Sequence, residues 1–338
     1  MVWVKRLVYL LLAGVALYLF WPLAKEIRDV PHLFVTARWE WLPAIIAVQV
    51  VSYFSLAWLN QLTLRPFPGH IGLRRMAMLL TSVAFIEVAV PSAGVSGFAL
   101  RARLLRKHGY SVEVSSFTFL LESVFLVISM VSVAVFGIVH TIRSGRLDET
   151  ETSQMVGLAA LVALLTWAAW HLLIDPQRSR RAVAFLGRLW NRWFGRLKRL
   201  DPEVLEARLE QFQTGVIQLR QIPIWWFFVA AYGRTLLDVA SLGLCFLLFG
   251  YEIRLGALLT GYSLMLVLSL LAILPAGIAI ADASLMGIFS RLGVPPTVAL
   301  AASLVYRLLA YWLMRFIGFV SLQLLEREAP VPAPRAAA

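Results

Sequence analysis

Apolar runs as long as a bilayer is thick recur along this chain, and two of them are broken by proline at matching places. The runs fall at about 5–23, 41–63, 76–90, 112–140, 154–174, 224–249, 256–274 and 297–324. Roughly 18–25 apolar residues cross a hydrocarbon core of about 30 Å as a helix. Backbone in lipid must satisfy its own hydrogen bonds, so the runs predict an all-α polytopic membrane protein. A soluble chain could not hide this much apolar surface: 60% of the residues are hydrophobic and 15% charged, against about 25% charged in an ordinary soluble domain.

The breaks carry the next constraint. Met76–Val90 ends at Pro91-Ser92-Ala93-Gly94, and Gly256–Leu274 ends at Pro275-Ala276-Gly277. Proline lacks a backbone donor and clashes with the preceding turn, so each helix must break there. A shorter helical stretch and a glycine follow each break. Pro91 to Gly109 is 18 residues, as is Pro275 to Gly293, and the two sets are offset by 184. The same offset carries span 41–63 onto 225–247, and the span starting near 112 onto that near 296. The chain therefore reads as two repeats, about 41–140 and 224–325, in one membrane domain over 1–325.

Charge sets the expected orientation. With Lys5 and Arg6 inside, and each broken segment a hairpin that returns to its own side, the basic segments 65–75, 101–107 and 178–199 all fall in the cytoplasm. The acidic loop with Asp148, Glu149 and Glu151 falls outside, and both termini are inside. The 41–63 and 224–249 spans then run in opposite directions. This is an inverted-topology repeat with two opposed, re-entrant helical hairpins, expected in the cell inner membrane. Such repeats place substrate near the midplane, where the halves meet. The first run is expected to stay as an anchor, since no small-residue cleavage site follows Phe20-Trp21-Pro22.

Segment 178–222 reads differently. Leu186, Leu189, Trp190, Trp193, Leu197 and Leu200 recur at helical steps beside Arg188, Arg192, Arg196 and Arg199. A basic amphipathic helix on the cytoplasmic leaflet is expected, then a second helix from Asp201-Pro202-Glu203. The tail, 326–338, reads as disordered. The net charge of +12 is assigned to anionic lipid headgroups, not to nucleic acid.

Ionisable residues inside the spans cost about 2.5–3.5 kcal/mol each on insertion scales and need a partner or a purpose. Glu87 stands one turn before Pro91, with Ser92 and Ser96 at the break. Asp282 stands on the return arm of the second hairpin. Arg234 and Asp238 are four apart, able to neutralise each other on one helix face. The offset puts Arg307 over Ser123, beside Glu122, which suggests a Glu122–Arg307 pair. Arg315 is expected to snorkel toward the cytoplasmic interface. Arg101, Arg103, Arg106 and Lys107 read as a solvated cluster at the first hairpin's mouth, able to gather anionic headgroups.

Catalytic readings are weak. Gly94-Val95-Ser96-Gly97 resembles the serine motif of rhomboid proteases, but the five histidines lie at loops or span ends, away from the base position a nucleophile needs. No His pair has zinc-protease spacing and no Walker A sequence occurs. The lone Cys245 cannot form an intrachain disulfide. No metal or cofactor is expected.

The chain resembles the transmembrane region of the lysylphosphatidylglycerol synthases, or multiple peptide resistance factors, and their standalone relatives. Pro91-Ser92-Ala93-Gly94-Val95-Ser96-Gly97 with Arg101 and Leu104-Leu105-Arg106 carry the resemblance. So do Leu274-Pro275-Ala276-Gly277-Ile278-Ala279, Asp282, Leu292-Gly293-Val294-Pro295 and Tyr306-Arg307-Leu308. Ala276 and Ala279 replace two family glycines, and Asp282 a glutamate of longer reach. The resemblance implies a flippase-like module. The aminoacyltransferase domain of the full-length synthases is expected to be missing, so the chain is not expected to be an enzyme. The expected function is movement of an anionic phospholipid or lipid-linked intermediate between leaflets, alongside a lipid-synthesising enzyme. Substrate would meet Glu87, Ser92, Ser96, Arg101 and Glu122 from the first half, and Arg234, Asp238, Asp282 and Arg307 from the second. Two alternatives stay open: a membrane-embedded enzyme or accessory subunit of lipid synthesis, which would turn lipid over without transport, and a scaffold, which would tolerate neutral substitutions of these charges.

Overall fold

The computed structural model describes residues 30–90, 92, 94–143, 157, 160, 164, 219, 222–271 and 287–327. The amphipathic segment 178–222 (save 219 and 222), the 5–23 run, most of 154–174, and Pro275 through Asp282 lie outside the described residues.

Among the described residues the chain is all helical. Helix α1 is Val30–Thr36, and a 3-10 turn at Trp39–Trp41 leads into α2, Leu42–Leu64. Then come α3, Leu73–Ala89; α4, Val95–Arg106; and α5, Val112–Arg143. The second half gives α6, Trp225–Leu248; α7, Leu255–Leu271; α8, Pro296–Tyr306; a π-helical segment, Arg307–Leu313; and α9, Met314–Arg327. Among the described residues four stretches are long and apolar enough to cross a membrane: Trp39–Leu64, Val112–His140, Trp225–Leu248 and Pro296–Arg327. Helix α9 runs two residues into the segment the sequence assigns to a disordered tail.

The helices start and stop where backbone chemistry dictates. Pro43 and Pro296 sit in the first turns of α2 and α8, where a missing N–H costs nothing. Gly109 and Gly293, 184 apart, adopt the left-handed conformation with φ of 87° and 84°. Each builds the same cap. The N–H of Gly109 reaches the Arg106 carbonyl and that of Tyr110 the Leu105 carbonyl; Gly293 reaches Ser290 and Val294 reaches Phe289. These Schellman pairs satisfy orphan carbonyls at two equivalent helix ends.

Packing is reciprocal. Helix α2 lies along α6, and the pairs Gln49–Asp238, Ser52–Arg234 and Ser55–Ala230 show that the two run antiparallel. The edge-on pair Trp58–Trp226 extends the same register. Of the outer helices, α3 of the first half packs on α9 of the second, while α7 of the second packs on α5 of the first. At the α3–α9 contact, a Cβ added to Gly318 would lie 2.1 Å from the Thr81 carbonyl oxygen. At the α5–α7 contact, a Cβ on Gly137 would meet Leu259 and the Thr260 amide at 2.8 Å. Both contacts need glycine because backbone, not a movable side chain, stands opposite. Gly318→Ala is therefore expected to push α9 off α3 and cost about 1–3 kcal/mol, read as a fall in thermal stability in detergent. An unchanged melting temperature would refute the contact.

Candidate functional site

Among the described residues two buried charged clusters interrupt the apolar interior. The first lies at the middle of the α2–α6 crossing and joins both halves. Its centre is Asp238, 7% exposed. One carboxylate oxygen, Oδ1, accepts from Gln49 Nε2 at 2.8 Å and from Arg234 at 3.2 Å. The other, Oδ2, accepts from the Tyr262 hydroxyl at 2.6 Å and the Tyr306 hydroxyl at 2.9 Å. Four helices, α2, α6, α7 and α8, thus converge on one carboxylate. Arg234 also donates to the Ser52 hydroxyl, which in turn donates to the Arg234 carbonyl, and its guanidinium lies 4.9 Å from the Tyr53 ring centroid. The expected i,i+4 pair of Arg234 and Asp238 is present. The arginine keeps 21% of its side chain exposed, against 10% for the aspartate, so the cation is the accessible member.

The second cluster belongs to the first half alone. Arg101 of α4 is 3% exposed. Its guanidinium donates to Glu122 at 2.5 Å, to the Asn60 side-chain carbonyl, and to Thr118 at 3.3 Å, and it faces the Phe119 ring. Arg101 Nε is buried without a partner. Two sequence expectations are corrected here. Arg101 does not belong to the solvated cluster at the hairpin mouth; burial against α2 and α5 removes it from Arg103, Arg106 and Lys107. Glu122 takes Arg101, not Arg307, as its ion partner. The 184 offset maps Glu122 onto Tyr306, so the two halves set a carboxylate and a phenol at equivalent places in their long helices.

The remaining candidates sit around these clusters. Glu87 is exposed in the last turn of α3, in the space that the missing side chain of Gly97 leaves, and within electrostatic range of Arg315, Glu122 and Arg101. Ser92 Oγ accepts from the Ser96 N–H, and the Ser96 hydroxyl donates to the Val90 carbonyl, both at 2.8 Å. These serines fasten the break, and that bond occupies the Ser96 proton. Arg307 opens the π-helical segment with its guanidinium 5.5 Å from the Tyr311 centroid. Arg315 does not snorkel toward the end of α9. It folds back onto Tyr311, 3.5 Å from the ring centroid, and donates to that residue's carbonyl, because a ring face lies one turn behind it. Asp282 lies outside the described residues.

Sequence reasoning passed over Gln49, Ser52, Asn60, Thr118, Tyr262 and Tyr306, which supply most of the hydrogen bonds in both clusters. Gln49 and Asn60 were visible as amides in an otherwise apolar run, three helical turns apart.

Comparison with known proteins supports the architecture. Residues 6–318 match the family described as the lysylphosphatidylglycerol synthase TM region. The chain is 22% identical over 286 residues to a UPF0104 membrane protein of Methanothermobacter thermautotrophicus, covering 83% of each chain. A second such protein of that organism is 26% identical over 259 residues, 73% of this chain and 72% of its own length. A UPF0104 membrane protein of Methanocaldococcus jannaschii is 28% identical over 131 residues, 38% of this chain and 39% of its own length.

Proposed function

This chain belongs to the lysylphosphatidylglycerol synthase transmembrane-region family, and from that premise we propose that it moves an anionic phospholipid or lipid-linked intermediate between the leaflets of the inner membrane. The observation that carries this reading is the Arg234–Asp238 cluster. A mostly buried cation, its side chain 21% exposed, sits at the middle of the helix pair where the two halves cross. A charge at that depth is costly, and a polar headgroup passing the midplane needs such a partner. The phosphate of a lipid would compete with Asp238 for the Arg234 guanidinium, while its tails stay in the bilayer.

The antiparallel α2–α6 pair, the matched glycine caps and the reciprocal docking of α3 and α7 all support an inverted repeat with opposed hairpins. Rocking of one half against the other around a fixed central site would then alternate access. In this reading both termini are cytoplasmic, the chain is a transporter and not an enzyme, and a separate lipid-synthesising enzyme supplies the cargo.

The test is leaflet exchange of headgroup-labelled phosphatidylglycerol in liposomes holding the purified protein, with outer-leaflet label quenched over time. Wild type is expected to accelerate exchange. Arg234→Gln and Glu87→Gln are expected to slow it by about tenfold, the equivalent of about 1.4 kcal/mol at the barrier. Acceleration that survives both substitutions would remove the site from the pathway. Absence of acceleration with phosphatidylglycerol and with polyprenyl lipids, joined to chemical turnover of lipid, would replace the transporter with an enzyme.

A further inference from the structure

A further contact between the halves lies away from both buried clusters, at the charged ends of α4 and α9. Arg103 in the last turn of α4 and Lys107 at its C-cap are four apart and share a face. Lys107 Nζ donates to the carbonyls of Leu325 and Glu326, at 3.2 and 3.4 Å, at the last turn of α9. Arg103 lies 3.3 Å from the Glu326 carboxylate. Beneath these polar contacts Leu325, 3% exposed, joins the buried apolar cluster that includes Met76, Leu104, Leu105 and Tyr110. One carboxylate, two carbonyls and one leucine thus fasten the end of α9 to the first hairpin.

The charges at this place are lopsided. Arg103, Arg106 and Lys107 stand at the end of α4 and Arg327 at the end of α9, and the nearby Glu326 carboxylate pairs with Arg103. The Arg103 and Glu326 side chains are 65% and 43% exposed, so water and competing anions reach the bridge, and bridges of that kind are weak. A guanidinium and an ammonium one turn apart also form the donor set that phosphate oxygens accept. In a bilayer the competing phosphate at this depth is that of the lipid itself.

We propose that Arg103 and Lys107 form a binding site for the phosphate of an anionic phospholipid, which Glu326 and the end of α9 occupy in its stead, so that lipid binding releases α9 from α4. The site differs from the central Arg234 cluster. It senses the leaflet at the surface and does not require the headgroup to cross. A ligand shifts such a two-state contact only by its preference for one state. Anionic lipid has that preference because the open state alone leaves both cations free for it.

Leu325→Cys in a Cys245→Ala background reports the latch through its reactivity with an uncharged, water-soluble maleimide. The Glu252→Cys variant, on an exposed residue elsewhere, corrects for the membrane's effect on the reagent. Discs of phosphatidylcholine are compared with discs in which roughly a quarter of the lipid is phosphatidylglycerol. The normalised rate is expected to rise about tenfold with phosphatidylglycerol, and Glu326→Gln is expected to raise it in phosphatidylcholine alone. With Arg103→Gln and Lys107→Gln together, the two lipids should give the same fast rate. Equal rates for the parent Leu325→Cys protein in both lipids would overturn the proposal. So would a matching rise from inorganic phosphate, which would divorce the site from the membrane. Because the readout is cysteine reactivity, its failure is separate from a failure to translocate lipid.

Discussion

Alanine at Asp238 is expected to destabilise the protein by roughly 3–5 kcal/mol, because it strands a buried cation and its neighbours at once. Arg234 loses its counter-charge, and Gln49, Tyr262 and Tyr306 each lose an acceptor. Few of these groups can turn to water, since Gln49 is fully buried and Tyr262 and Tyr306 are under one-tenth exposed. Asparagine should cost less, since its carbonyl still accepts from two donors while its amide faces the rest. Tyr306→Phe should cost about 1.5–3 kcal/mol, the scale of a single hydrogen bond to a charged group. Thermal unfolding in detergent, followed by intrinsic tryptophan fluorescence, orders the three. An alanine variant within about 0.5 kcal/mol of wild type, the range of inert surface changes, would show that the cluster does not hold the four helices together.

The second large effect is expected at Arg101. Replacing it with leucine leaves Glu122 charged and buried without its cation and should cost about 3–5 kcal/mol. Glu122→Leu should cost a similar amount by stranding Arg101. The double variant Arg101→Leu/Glu122→Leu should recover most of either loss, because a buried ion pair and a packed apolar pair are close in stability. The coupling read from this cycle is expected to exceed about 2 kcal/mol, well above the few tenths seen for sites that do not touch. Additive losses would break the pair as described. The same double variant separates fold from function: if it folds and still exchanges lipid, the Arg101–Glu122 cluster is structural, and if it folds and does not, the cluster serves the cargo.

These two clusters were unequally legible in the sequence. Arg234 and Asp238 announced themselves as opposite charges one turn apart in an apolar run. Arg101 was hidden among Arg103, Arg106 and Lys107, four cations in seven residues. Helical geometry distinguishes them: at about 100° per residue, Arg101 points roughly 120–160° away from the other three. A basic segment read as a list conceals that phase. The Glu122–Arg307 pairing failed for another reason. Residues related by a repeat occupy equivalent places, and equivalent places touch only near the axis that relates them. Ser52 and Arg234 lie there; Glu122 and Tyr306 do not. The tyrosines escaped because a phenol adds little polarity to an apolar run, and only the folded chain shows both hydroxyls aimed at one carboxylate. The spans that fall on described residues and the two glycines at helix ends were legible, since bilayer thickness and helix termination act on local sequence.

The exchange of partners between α3 and α9, and between α7 and α5, has a consequence for how the molecule can be divided. Each half lends an outer helix to the other and borrows one back, much as two proteins do in a swapped dimer. A fragment ending near residue 143 would carry a hairpin with no groove and a groove with no helix. A fragment beginning near 225 would carry the converse. Neither is a free-standing domain, yet each is shaped for the other, so the two made as separate chains should find one another in the membrane, and their survival there should depend on the concentration of both.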